Sequence, residues 1–165
     1  SEGLELGSKW KFSDKLNFDL NYTLQRTYDG ADMDDALNND GNSGGTGGGA
    51  FVDSRMARVP RHALGLNTYY SIPQKNLSIN LQTIYAGNSR DYGNFNSPKH
   101  GTNYLDAQLD AYFVNHIDFM YNYIPGYDVF FKIVNLTDEN YQTALDYSQP
   151  SRSFNFGIRR SFDKY

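Results

Sequence analysis

Residues Val129 to Phe162 read VFFKIVNLTDENYQTALDYSQPSRSFNFGIRRSF. Near the end Phe154, Phe156 and Ile158 take alternate positions and Phe162 resumes the series, while Asn155, Gly157, Arg159 and Ser161 fill the gaps. A two-residue period puts these sets on opposite faces of an extended strand, one apolar and one polar. Val129, Phe131 and Ile133 repeat the alternation upstream.

The same pattern runs through most of the chain. Leu4, Leu6, Trp10 and Phe12 alternate with Glu5, Gly7, Lys9 and Lys11; Leu16, Phe18, Leu20, Tyr22 and Leu24 alternate with Asn17, Asp19, Asn21, Thr23 and Gln25. His62, Leu64, Leu66, Thr68, Tyr70 and Ile72 form a third apolar face, Leu77, Ile79, Leu81, Thr83 and Tyr85 a fourth, and Phe113, Ile117, Phe119, Tyr121 and Tyr123 a fifth. Between them, short turns at Ser13-Asp14-Lys15, Pro73-Gln74-Lys75 and Pro125-Gly126-Tyr127 alternate with long connections at Tyr28 to Met56, Gly87 to Ala111 and Leu136 to Ser151. These turn residues set tight reversals. The first long connection is acidic and glycine-rich, has no period of its own, and reads as a mobile loop.

Composition agrees with a sheet between two solvents. Of 165 residues, 39% are hydrophobic and 16% aromatic, with 14 Tyr and 11 Phe, yet the net charge is -4 and the average residue is polar. Membrane barrels combine these properties because only alternate residues meet lipid and aromatic girdles mark both interfaces. No apolar run reaches the roughly 18 residues of a membrane-crossing helix. The chain has no Cys, which removes disulfides and thiolate chemistry. A negative balance without basic clusters speaks against a nucleic-acid partner. The first residues already read as mid-strand and follow no signal peptide, so a mature or truncated chain is expected.

The run Asn135-Leu136-Thr137-Asp138-Glu139-Asn140-Tyr141 resembles the NL-x-D-x-x-Y signature of TonB-dependent outer-membrane receptors, of the cobalamin and siderophore kind. Asn135, Leu136, Asp138, Tyr141 and the near-terminal Phe162 carry the match. The Arg58-Val59-Pro60-Arg61-His62 strand entry and the segment Ile117 to Tyr123 are similar to the same family, while Pro150-Ser151-Arg152 replaces its usual Pro-Gly-Arg turn. The resemblance implies an all-β, antiparallel, up-and-down transmembrane β-barrel in the bacterial outer membrane. Residues 1–165 would be a C-terminal fragment of about seven strands, because a single-chain barrel needs an even number and this family has about 22. The plug domain would be absent. Lipid, the barrel-assembly machinery (through the terminal strand), TonB (through the missing plug) and a small-molecule nutrient such as a ferric siderophore or cobalamin are the implied partners.

Recognition in such a receptor falls to the outer loops. Arg55, Arg58, Arg90, Tyr92, Tyr104, Tyr147 and Arg152 are the candidate contacts, since Arg and Tyr offer bidentate donors and amphipathic area. Arg152 is also placed to fix the terminal turn. Asp29, Asp32, Asp34 and Asp35 supply oxygens of the kind Ca²⁺ takes, without EF-hand spacing. Enzymatic chemistry is not expected. His62, His100 and His116 form no metal motif, and Gly45 to Ala50 lacks the strand-turn-helix setting of a dinucleotide loop. A rim hydrolase would need His100 beside Asp91 or His62 beside Asp53. A passive porin or small outer-membrane barrel and a soluble ligand-binding β-barrel are the other readings; the last would turn its apolar face inward.

Overall fold

The computed structural model describes residues 1–27, 56–97, 101–122 and 125–160. Strands β1 (Glu2–Lys11), β2 (Leu16–Arg26), β3 (His62–Ile72), β4 (Leu77–Ala86), β5 (Ser89–Ser97), β6 (Gly101–Leu109), β7 (Tyr112–Tyr121), β8 (Tyr127–Val134), β9 (Gln142–Ala144), β10 (Tyr147–Ser148) and β11 (Ser153–Arg160) follow in order. Seven of them form one sheet, β1-β2-β3-β4-β7-β8-β11, in which every neighbouring pair is antiparallel. Among the described residues β5 pairs with β6 alone and β9 with β10 alone. The up-and-down fold expected from the alternation is therefore present. The connection between β4 and β7, expected as a long loop with at most a short strand extension over Leu105 to Leu109, carries a hairpin of two nine-residue strands.

Register lines the apolar sets up across the whole sheet. Leu16 lies opposite Tyr70, Tyr70 opposite Ile79, Ile79 opposite Phe119, Phe119 opposite Phe131 and Phe131 opposite Phe156. The rings of Phe119, Phe131 and Phe154 continue this row as stacked pairs with centroids 6.2 and 6.3 Å apart. Such cross-strand pairs are the unit that stabilises a sheet. A one-residue slip in any strand would turn its apolar set to the wrong side, so the pattern itself enforces the register.

Among the described residues no strand or helix packs on that face. Leu6, Phe113, Phe154 and Phe156 keep 55%, 50%, 64% and 69% of their surface exposed. Among the described residues the buried apolar side chains are only Ala86, Leu109, Val114 and Leu145, all at the end of the sheet where the long connections lie. A soluble barrel would instead seal Leu20, Leu66 and Leu81 into an interior, and none of these is buried. Aromatic residues gather near both ends of the exposed face: Trp10, Tyr70 and Tyr121 toward the short turns, and Tyr22, Tyr85 and Phe113 toward the long connections.

Two pairs of polar side chains on the apolar face satisfy each other. Thr83 Oγ1 donates to Asn115 Oδ1 at 2.8 Å, and Tyr22 Oη lies 2.8 Å from His62 Nδ1. In a water-poor medium an unpaired group would cost several kcal/mol, so mutual pairing is the condition for keeping them there. The opposite face is polar and ionic. Lys9 meets Asp19 at 3.4 Å and Lys132 meets Asp118 at 3.4 Å. Residues of this face from Asn17 on β2 to Arg159 on β11 line one groove of about 570 Å³, so this is the sheet's concave side.

The short turns close as their residues require. Pro73–Lys75 is one turn of 3-10 helix, ended by Asn76 in the left-handed region (φ 48°), a conformation Asn tolerates better than most residues.

Candidate functional site

Two clusters of side chains organise the end of the sheet where the long connections lie. The first is built on Asn135, where β8 ends. Asn135 is 1% exposed and left-handed (φ 54°). Its amide donates to His116 Nδ1 at 2.9 Å, which makes Nδ1 an acceptor and leaves the ring proton on Nε2. Its side-chain oxygen accepts the Glu139 amide at 2.9 Å, and its side-chain nitrogen donates to the carbonyls of Glu139 and Pro150 at 2.9 and 3.3 Å. One residue thus ties the exit of β8 to the entry of β11.

Asp138 completes the tie. Its Oδ1 accepts the Arg152 amide at 2.7 Å, and Oδ2 lies 3.5 Å from the Arg152 guanidinium. The amide hydrogen bond, with the nearby guanidinium adding to it, holds the Asp138 carboxyl below the usual carboxylate range. Tyr141 then stacks on Tyr112 of β7 with ring centroids 4.4 Å apart. The NL-x-D-x-x-Y run is therefore a turn in which Asn135, Asp138 and Tyr141 each anchor a different neighbour. Leu136 contributes its amide, which donates to the Asn115 carbonyl at 2.7 Å. Arg152, a candidate ligand contact, sits in this turn and fixes it.

The second cluster centres on Asp91, which is fully buried. Its Oδ1 accepts from Arg58 Nε at 2.9 Å and its Oδ2 from the Leu145 amide at 2.8 Å. The Arg58 amide also donates to the Arg90 carbonyl at 2.6 Å. Arg58 and Arg90 are thus brought together, with the turn between β9 and β10 beside them.

Other candidates are scattered or undefined. Tyr147 is 69% exposed on β10. The backbones of Tyr92 and Tyr104 lie on β5 and β6, opposite Asp106 and Asn94. Arg55, Phe162 and the calcium candidates Asp29, Asp32, Asp34 and Asp35 lie outside the described residues, as do His100 and Asp53. Among the described residues His62 meets Tyr22, and Asp91 meets Arg58 and Leu145. No motif announces Asp91. Its partners lie 33 and 54 positions away, and only folding assembles them.

A seven-stranded antiparallel wall with one bare apolar face and one ionic concave face is a section of a membrane barrel. Comparison with solved structures gives the same fold. The ferripyoverdine receptor of the outer membrane of Pseudomonas aeruginosa matches 97% of this chain with a TM-score of 0.68 at 15% identity. The ferric-catecholate import receptor Fiu of E. coli K12 matches 97% with a TM-score of 0.69 at 17% identity, and the ferric yersiniabactin uptake receptor of Yersinia pestis matches 98% with a TM-score of 0.60 at 16% identity. The chain spans only 19%, 20% and 23% of the length of these three receptors. No family model matches the chain, and no curated protein matches it. The chain has the fold of part of the barrel of ferric siderophore receptors.

Proposed function

We propose that this chain is the C-terminal part of the barrel of a TonB-dependent receptor that carries a ferric siderophore across the bacterial outer membrane. The observation that carries the reading is the unbroken apolar row from Leu16 to Phe156, exposed on one face of a sheet that matches ferric siderophore receptors over nearly its whole length. Backbone groups can cross hydrocarbon only when paired within a helix or a closed barrel. Among the described residues no helix is long and apolar enough to do so. The apolar face then meets lipid, the ionic face a hydrated lumen, and the long connections the cell exterior.

Cargo contact falls to the outer segments, with Arg55, Arg58, Arg90, Tyr92, Tyr104 and Tyr147 as the contact set and Arg152 holding the turn beside them. The barrel carries its ligand unchanged, so no bond is made or broken. TonB would act through a plug domain elsewhere in the protein. The barrel-assembly machinery would read the terminal strand, and Ca²⁺ would be held by Asp29, Asp32, Asp34 and Asp35. The solved relatives named above all bind or import ferric siderophores, which favours that cargo over cobalamin.

The test is uptake in cells lacking the gene. Iron-starved cells carrying the whole protein should import a labelled ferric siderophore from a panel of catecholates, hydroxamates and pyoverdines, and should stop when TonB is deleted. Ion conduction in a planar bilayer with TonB-independent uptake would mark a passive porin instead. Import of cyanocobalamin alone would reassign the cargo.

A further inference from the structure

We infer that Asp91 is a positioning residue that couples three outer segments, so that the entry to β3, the β5–β6 hairpin and the β9–β10 turn move as one unit. The inference rests on reading these segments as the receptor's outer mouth. Both oxygens of its carboxylate are committed, Oδ1 to Arg58 Nε and Oδ2 to the Leu145 amide, and no part of the residue is exposed. A buried carboxylate left without either donor carries a large desolvation cost, so neither segment leaves without disturbing the other. Arg58 is bound twice, since its amide also holds the Arg90 carbonyl, and it keeps a left-handed backbone (φ 62°) that a non-glycine residue adopts only when its surroundings impose it.

The arrangement differs from a surface ion pair. Arg58 is 49% exposed while its partner is fully buried, so one end of the link is open to whatever enters the mouth and the other end reaches the Leu145 turn. Contact made at the Arg58 guanidinium is thereby passed through Asp91 to the Leu145 amide. Sequence separation gives the coupling its reach: 33 positions from Arg58 to Asp91 and 54 from Asp91 to Leu145.

Hydrogen exchange of the whole receptor in detergent, without ligand, tests this. Arg58→Gln should speed exchange about tenfold in the peptide spanning residues 142–147, the scale of one lost charged hydrogen bond. Asp91→Asn should speed it there and in residues 56–61 alike. The double variant should exceed neither single one, because one link is being broken. Exchange in β3, β4 and β7 should stay unchanged. An Arg58→Gln protein whose 142–147 segment exchanges as in the parent, or a double variant whose effects add, would overturn the coupling. Where Asp91→Asn disturbs the strands themselves, the half-exposed Arg58→Gln variant decides alone. Because no cargo is present, a failed uptake assay and a failed exchange assay are separate results.

Discussion

Asn135 spends every polar atom it has. Its amide, carbonyl, side-chain oxygen and side-chain nitrogen all find protein partners, and its left-handed backbone suits Asn better than Ala. Asn135→Ala leaves the Glu139 amide and two carbonyls without partners and forces Ala into a left-handed turn, at a combined cost of about 2–4 kcal/mol. Urea titration of the receptor folded into lipid vesicles should register that loss. At Asp138 the effect follows pH. Its folded carboxyl titrates below its unfolded value, so the Arg152 contact stabilises the turn above about pH 4 and is lost as pH falls through the folded value. Thermal midpoints measured from pH 6 to pH 3 should drop in that lower window for the parent, and Asp138→Asn should flatten the drop. The motif was recognisable from residue spacing. That Asn135 reaches Pro150 and that Asp138 reaches Arg152 was not, because both contacts bridge 14 or 15 positions across a loop without a period.

At the scale of strands, burial is decided by solvent rather than by packing. Leu81 lies mid-strand on the apolar face and Gln82 beside it on the concave face. Leu81→Arg should cost about 2–4 kcal/mol in vesicle folding, the depth-dependent cost of a charge near the bilayer centre, whereas Gln82→Arg should change it little. Equal effects at the two positions would contradict the assignment of lipid to the Leu81 side. The seven sheet strands were legible because each carries one apolar and one polar face, and the alternation is the record of that division. The β5–β6 hairpin was not. Its first segment, SRDYGNFNS, lacks an apolar set at period two, and in GTNYLDAQL only Leu105, Ala107 and Leu109 alternate, too short a run to mark a nine-residue strand; among the described residues the two strands pair with one another.

For the molecule as a whole, direction of travel matters more than size. Successive strands in the seven-stranded sheet alternate, so β1 and β11 run the same way and cannot close the sheet through an antiparallel pair. Both therefore present open edges, and their outward faces carry Leu4, Leu6, Phe154 and Phe156 well exposed. These 165 residues folded alone in detergent should self-associate and show no heat-modifiable band on electrophoresis, the mark of a closed barrel; a compact, heat-modifiable monomer would contradict the sheet order.

Phe130 stands opposite Gly157, and a Cβ at that glycine would overlap its ring. Slide β11 by two residues in either direction and the ring meets Asn155 or Arg159, whose side chains occupy the space it needs. β11 thus brings its own keyway to β8: the ring fits above one residue of the strand, and the alignment of the pair is settled by a side chain that is not there.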